Sequence, residues 1–86
     1  MSWISGELQV VVATPDELIW EGKAESVSSE NSAGPFDILP QHANFVTMIK
    51  GKPITIRTIG DGEKTFTYKN AVITVAKDKV SIYNDI

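Results

Sequence analysis

Apolar and polar positions along this chain exchange every one or two residues, and no stretch of ten or more keeps the 3.6-residue period of a helix face. Leu8-Gln9-Val10-Val11-Val12-Ala13 is a β-branched run that ends at Thr14-Pro15-Asp16, where proline fixes φ and the aspartate closes a turn. Leu18-Ile19-Trp20 follows and is expected to stop at Gly22. Ala24-Glu25-Ser26-Val27-Ser28 alternates as a half-buried strand does. Phe36 and Ile38 share one face of a short strand entered through Gly34-Pro35. Over residues 44–49, Phe45, Thr47 and Ile49 alternate with Val46 and Met48, until Gly51 and Pro53 break the run. Ile54 and Ile56 then face inward, with Thr55 and Arg57 outward.

The punctuation between these runs is that of hairpins. Asp61-Gly62 separates residues 54–59 from Thr65-Phe66-Thr67-Tyr68 and predicts a tight reversal with positive φ at both residues. Lys69-Asn70 predicts another reversal, and residues 72–76 and 80–83 a last hairpin across Lys77-Asp78. The fold class that follows is all-β: a flattened antiparallel β-sandwich or barrel of eight to ten short strands, with turns roughly every eight to ten residues. The pattern allows no helix beyond a single turn within residues 41–44.

Length makes residues 1–86 a single domain, since two cores would each be too small to stand. A chain of this size buries roughly 60–65% of its unfolded surface, which predicts modest stability. With no cysteine there is neither a disulfide framework nor thiolate chemistry. No run of about 18 apolar residues is present for a membrane helix, nor a basic segment leading into an apolar one as in a signal peptide. A soluble, cytosolic protein without direct membrane insertion is the expectation. Seven acids oppose Lys23 up to Leu39, whereas seven cations oppose four acids from Pro40 onward. Either the fold has faces of opposite charge, or strand pairing interleaves the halves and the charges simply solvate the surface. Nucleic acid is not an expected partner, because the net charge is −3 and no cations cluster.

Candidate chemistry is sparse. His42 is the only histidine, and no serine sits in a Gly-x-Ser-x-Gly elbow. One histidine without cysteine leaves only carboxylates to complete a metal shell. Gly60-Asp61-Gly62-Glu63-Lys64-Thr65 lacks the spacing and the following helix of a phosphate-binding loop and reads as a turn. No catalytic residue, metal site or cofactor is expected. Trp20 is expected on the rim of the core with its indole N–H on a carbonyl, and Trp3 either against the sheet or on a partner surface. The unusual segment is residues 34–45, which holds His42, two of the four prolines and two of the three phenylalanines. It reads as a shaped surface.

Thr14-Pro15-Asp16 after a valine-rich strand, a tryptophan, Gly22, and then Gly34-x-x-x-Ile38-x-Pro40-x-His42-Ala43 before an apolar strand carry a resemblance. The chain is similar to the N-terminal β-sandwich domain of the epsilon subunit of F-type ATP synthases, whose mitochondrial counterpart is called delta. The resemblance spans essentially the whole chain and implies a ten-stranded sandwich without an active site. It further implies a rotor component of the central stalk of a proton- or sodium-translocating synthase. Its partners would be the gamma subunit and the c-subunit ring, at the inner face of the cell membrane through the complex alone. The contact residues so implied are Gly34, Pro35, Phe36, Ile38, Pro40, His42 and Ala43, with Phe36, Pro40 and His42 foremost. His42 would be a packing residue at or near the gamma contact, or simply a group satisfying a buried turn.

Three positions depart from the family pattern. Pro35 stands where an acidic residue usually faces the c ring, Gln41 where glycine is common, and Lys69-Asn70-Ala71 where a Gly-Gly pair is usual. The family's C-terminal helical hairpin, which inhibits ATP hydrolysis and in some members binds ATP, lies outside these 86 residues, so neither role is expected of them. Two other readings stay open from sequence: an epsilon-like sandwich serving as an interaction module outside the synthase, and a small hydrolase or ligand-binding β domain.

Overall fold

A computed structural model describes residues 6–84, so the expectation for Trp3 lies outside the described residues. Eight strands follow in order: β1 (Leu8–Ala13), β2 (Leu18–Asn31), β3 (Gly34–Ile38), β4 (Phe45–Ile49), β5 (Pro53–Thr58), β6 (Glu63–Thr67), β7 (Ala71–Ala76) and β8 (Lys79–Asn84). They form one sheet in the order β4-β7-β8-β1-β2-β5-β6, with β3 on β2. The sheet curls so that one face closes on itself, within principal extents of 41 × 28 × 20 Å. The all-β expectation holds, with one refinement: β1 and β8 run parallel. The reason is local, because the β7–β8 turn lies beside the start of β1, where the Gln9 N–H donates to the Asp78 carbonyl at 2.8 Å.

β2 organises this curl. The sequence suggests two strands separated by Gly22, but the structure has a single strand of 14 residues. Gly22 lies within it because the Trp20 ring crosses its backbone: a Cβ at Gly22 would stand 2.6 Å from the ring's Cζ2. Leu18 to Ala24 pair with β1, while Val27 to Asn31 pair with β3 and Ala24 to Ser28 with β5. Between Ala24 and Ser26 the register shifts, leaving Glu25 as the extra residue of a β-bulge. The bulge reverses parity. Ala24 faces the core before it and Val27 after it, both fully buried, a three-residue step that strict alternation forbids. The bent strand therefore belongs to both layers: β4, β7, β8, β1 and its first half on one side, β3, β5, β6 and its second half on the other.

Leu8, Val10 and Val12 of β1 meet Ile73, Val80, Ile82, Ile38, Ile54 and Ile56 in the core, with Trp20, Phe36, Phe45, Phe66 and Tyr68 packed around them. Where β4 approaches the end of β2, the Asn31 Nδ2 donates to Thr47 Oγ1 at 2.9 Å, and the Phe36 ring of β3 meets that of Phe45 edge-on at 5.5 Å. The two halves interleave, since β1 and β2 of the acidic half lie between β8 and β5 of the other. The ion pairs Lys23–Glu7, Arg57–Glu63 and Lys64–Asp61 span 3.2–3.3 Å at exposed or partly exposed positions, where such pairs contribute at most about 1 kcal/mol each.

Turn chemistry differs from expectation in two places, at Asp61-Gly62 and at Lys69-Asn70, while the hairpin expected across Lys77-Asp78 forms. At the β5–β6 reversal the positive φ angles fall on Gly60 and Gly62, not on Asp61, so this is a longer loop than a two-residue turn. Thr58 holds it, its backbone N–H and hydroxyl both donating to the Gly62 carbonyl. The two-residue turn with two positive φ angles is Lys77-Asp78, at 50° and 64°, joining Ala76 to Lys79. Lys69-Asn70 turns the chain without pairing its flanks, because β7 lies between β4 and β8 in the other layer.

Asn84 is fully buried on β8, and neither polar atom of its side chain has a hydrogen-bond partner among the described residues. A buried unsatisfied amide costs about 1–3 kcal/mol. Asn84→Val is expected to raise the unfolding free energy by about 1 kcal/mol in urea titration, whereas a loss of stability would show that the amide makes a bond that the fold needs.

Candidate functional site

The segment 34–45 is built from one edge strand and one pinned corner. Ser32 and Ala33 form the β2–β3 turn, with the Ala33 N–H donating to Asn31 Oδ1 at 2.9 Å. Gly34 follows at φ 118°, a conformation that side chains rarely adopt. Pro35 is tolerated in β3 because that strand pairs with β2 alone. Asp37 points outward, accepting from Ser28 Oγ at 2.6 Å.

The corner begins at exposed Leu39, whose carbonyl accepts the His42 N–H at 3.1 Å. Pro40 occupies the second position of this turn and Gln41 the third, at φ 67°. Proline followed by a positive φ is the type II pattern, so residues 39–42 form a β-turn and the single helical turn that the sequence allowed near residues 41–44 does not form. The Gln41 N–H then points away from the turn and donates to Asp78 Oδ1 at 2.6 Å. His42 Nδ1 lies 2.8 Å from the Ala43 carbonyl; a carbonyl only accepts, so Nδ1 carries the proton. The His42 ring packs edge-on against Phe45 at 5.6 Å, and Phe45 in turn against Phe36.

The expected contact residues thus divide. Gly34 and Pro35 lie at one end of β3, and Pro40, His42 and Ala43 beyond the other, separated by roughly 13 Å of strand. Phe36 is half-buried and supports the corner through Phe45. Ile38 is fully buried in the core and presents nothing to a partner in this conformation. An open depression of about 370 Å³ lies among Glu30, Ser32, Met48, Lys50 and Lys52, away from His42. Among the described residues no three His, Cys, Asp or Glu side chains converge as metal ligands would, and no helix is long and apolar enough to cross a membrane.

A second surface escaped the sequence reading. Register places Met48, Val72, Tyr83, Ala13 and Leu18 in one row across five strands of the outer face. Met48 is 52% exposed, Tyr83 43% and Leu18 57%, and neighbouring Val46 reaches 71%. The row beside it runs Val46, Thr74, Ser81, Val11 and carries a charge only at its end, Glu21. The equivalent row on the other layer is Asp37, Ser28, Thr55, Thr65. Along these two rows the outer face of β4, β7, β8 and β1 is largely apolar, turning polar at the next row, Ala76, Lys79, Gln9 and Lys23; Val46 follows directly on Phe45, which packs on the core side and against His42 of the corner. The signal of this face in the sequence is the unbroken apolar character of Val10-Val11-Val12 and of Ala71-Val72-Ile73, where a solvated strand would place a polar residue at every second position.

Over residues 7–86 the sequence matches the family described as ATP synthase, delta/epsilon chain, β-sandwich domain. It is 34% identical over 76 residues to an ATP synthase epsilon chain of Brevibacillus brevis, covering 88% of this chain and 58% of that relative. To the epsilon chain of Streptomyces griseus it is 28% identical over 83 residues, covering 96% of this chain and 67% of the relative. The fold matches a chain in the Euglena gracilis mitochondrial ATP synthase (OSCP/F1/c-ring) with a TM-score of 0.84 at 14% identity, covering 96% of this chain and 53% of that one. It matches a chain of the Tetrahymena thermophila mitochondrial ATP synthase central stalk and c-ring at 0.73 and 12% identity, covering 92% and 63%.

If Phe36 supports the corner through Phe45, a Phe36→Leu and Phe45→Leu double-mutant cycle should give a coupling of about 0.5–1.5 kcal/mol. Additive losses of stability would mean that the two rings act separately.

Proposed function

The chain belongs to the delta/epsilon β-sandwich family of ATP synthase chains, and on that footing we propose that it is a non-catalytic rotor component of the central stalk. In this reading it binds the gamma subunit and the c-subunit ring of a proton- or sodium-translocating synthase. It stands at the cytoplasmic face of the membrane and is held there by the complex. The observation that carries the reading is the apolar row Met48–Val72–Tyr83–Ala13–Leu18 beside the pinned corner. Exposed apolar area this contiguous is costly in a free domain and is resolved by a protein partner.

The gamma subunit is assigned to that face together with Pro40, His42 and Ala43. The c ring is assigned to the turn at Gly34 and Pro35, where the absence of a charge makes the contact one of shape. Such a role needs a stiff body with two separate contact regions, because torque passes through it, and needs no reacting group. The single imidazole, already turned toward the Ala43 carbonyl and Phe45, agrees with that.

The test is a binding titration of the chain against a gamma–c-ring subcomplex. Val46→Lys and Met48→Lys should each weaken binding by at least about tenfold, because docking would bury an unpaired charge. His42→Ala should weaken it less, and Thr65→Lys on the polar face should leave it unchanged. Wild-type affinity in all the variants would remove this face from the interface, and no binding by the wild-type chain would favour an interaction module outside the synthase.

A further inference from the structure

Among the described residues the non-glycine positions with positive φ are Gln41, Lys77 and Asp78, at 67°, 50° and 64°. They lie 36 residues apart in sequence and yet form one node. Lys77 and Asp78 make the two-residue turn between β7 and β8, and Gln41 is the third residue of the corner turn. Asp78 joins three segments. Its backbone carbonyl accepts the Gln9 N–H of β1 at 2.8 Å, and its carboxylate accepts the Gln41 N–H at 2.6 Å.

We propose that Asp78 is the positioning residue of the corner: its carboxylate holds Gln41 in the left-handed conformation from which Pro40, His42 and Ala43 are presented. The inference rests on the proposed rotor contact for its consequence but not for its geometry. A residue with a Cβ enters the left-handed region against a steric penalty, and such a conformation persists only where surrounding bonds over-determine it. The corner's own hydrogen bond, from the His42 N–H to the Leu39 carbonyl, closes the turn but leaves the Gln41 N–H pointing outward. The Asp78 carboxylate meets that N–H at the short distance typical of a charged acceptor. Aspartate suits the post twice over, since it tolerates the left-handed conformation its own turn requires. The recognition corner is therefore a two-turn unit whose second half lies on a hairpin far along the chain.

The experiment uses Asp78→Gly, which keeps the turn's backbone angles and removes the carboxylate, and Asp78→Asn, which keeps an oxygen acceptor without the charge. In the free chain, NMR hydrogen exchange at the Gln41 amide should accelerate by about tenfold or more in the folded glycine variant, with the asparagine variant between. Affinity for the gamma–c-ring subcomplex should fall several-fold in Asp78→Gly. Adding Gln41→Gly should restore it, because glycine takes the corner conformation without a clamp. A merely structural role for Asp78 would give no such rescue. Unchanged exchange at Gln41 would overturn the proposal. So would accelerated exchange with undiminished affinity, provided that His42→Ala does weaken binding. Accelerated exchange with neither variant affecting affinity would uphold the clamp and overturn the rotor contact instead.

Discussion

A single sheet can bury one of its faces only by folding over on itself, and here that requirement falls on β2. Its first half must stay paired to β1 while its second half pairs to β3 and β5. The chain has to bend without breaking the ladder. The bulge at Glu25 achieves this with one extra residue, and the side-chain parity reverses there, so that Ala24 and Val27 both reach the core. The other structural features depend on that bend. Without it the inward faces of β1, β7 and β8 would have no opposing layer, and β3 could not come within ring contact of β4.

The curl also accounts for the position of the candidate site. Closing the sheet brings β3 and β4 together, and the short connection between them has to turn sharply where the two layers meet. A proline, a left-handed Gln41 and the ring contacts of His42 and Phe45 make that connection rigid. Folding one face inward leaves the other faces outward, and these are unlike each other. Polar residues cover β3, β5 and β6, whereas β4, β7, β8 and β1 present Val46, Met48, Val72 and Tyr83, with Thr74 and Ser81 among them and Lys79 and Gln9 at the far edge. A rigid corner beside an apolar face suits the docking role proposed above.

Much of this was legible in the sequence. Alternation in residues 44–49 and 54–58 gave the strands and their inward faces, since Ile49, Ile54 and Ile56 are all fully buried. The final hairpin fell where residues 72–76 and 80–83 placed it. What was not legible depended on contacts distant in sequence. Gly22 looks like a stop until the Trp20 ring is seen lying over it. The Asp-Gly pair at 61–62 carries the usual turn signal, yet the tight turn is Lys77-Asp78, whose strain is offset by bonds to β1 and to the corner that local propensity cannot reveal. Ile38 shares a strand face with half-buried Phe36, and only pairing with Val27 seats it fully in the core. The apolar outer face lay in the unbroken runs of β1 and β7, but its continuity across five strands is a matter of register.

The measurement that bears most directly on the central claim is hydrogen–deuterium exchange of the chain alone and in complex with a gamma–c-ring subcomplex. If the corner and the apolar face are the docking surface, protection should appear over residues 39–48 and along β8, leaving the β5–β6 hairpin as it is in the free chain. Protection confined to the β5–β6 hairpin, or none on mixing, would contradict it.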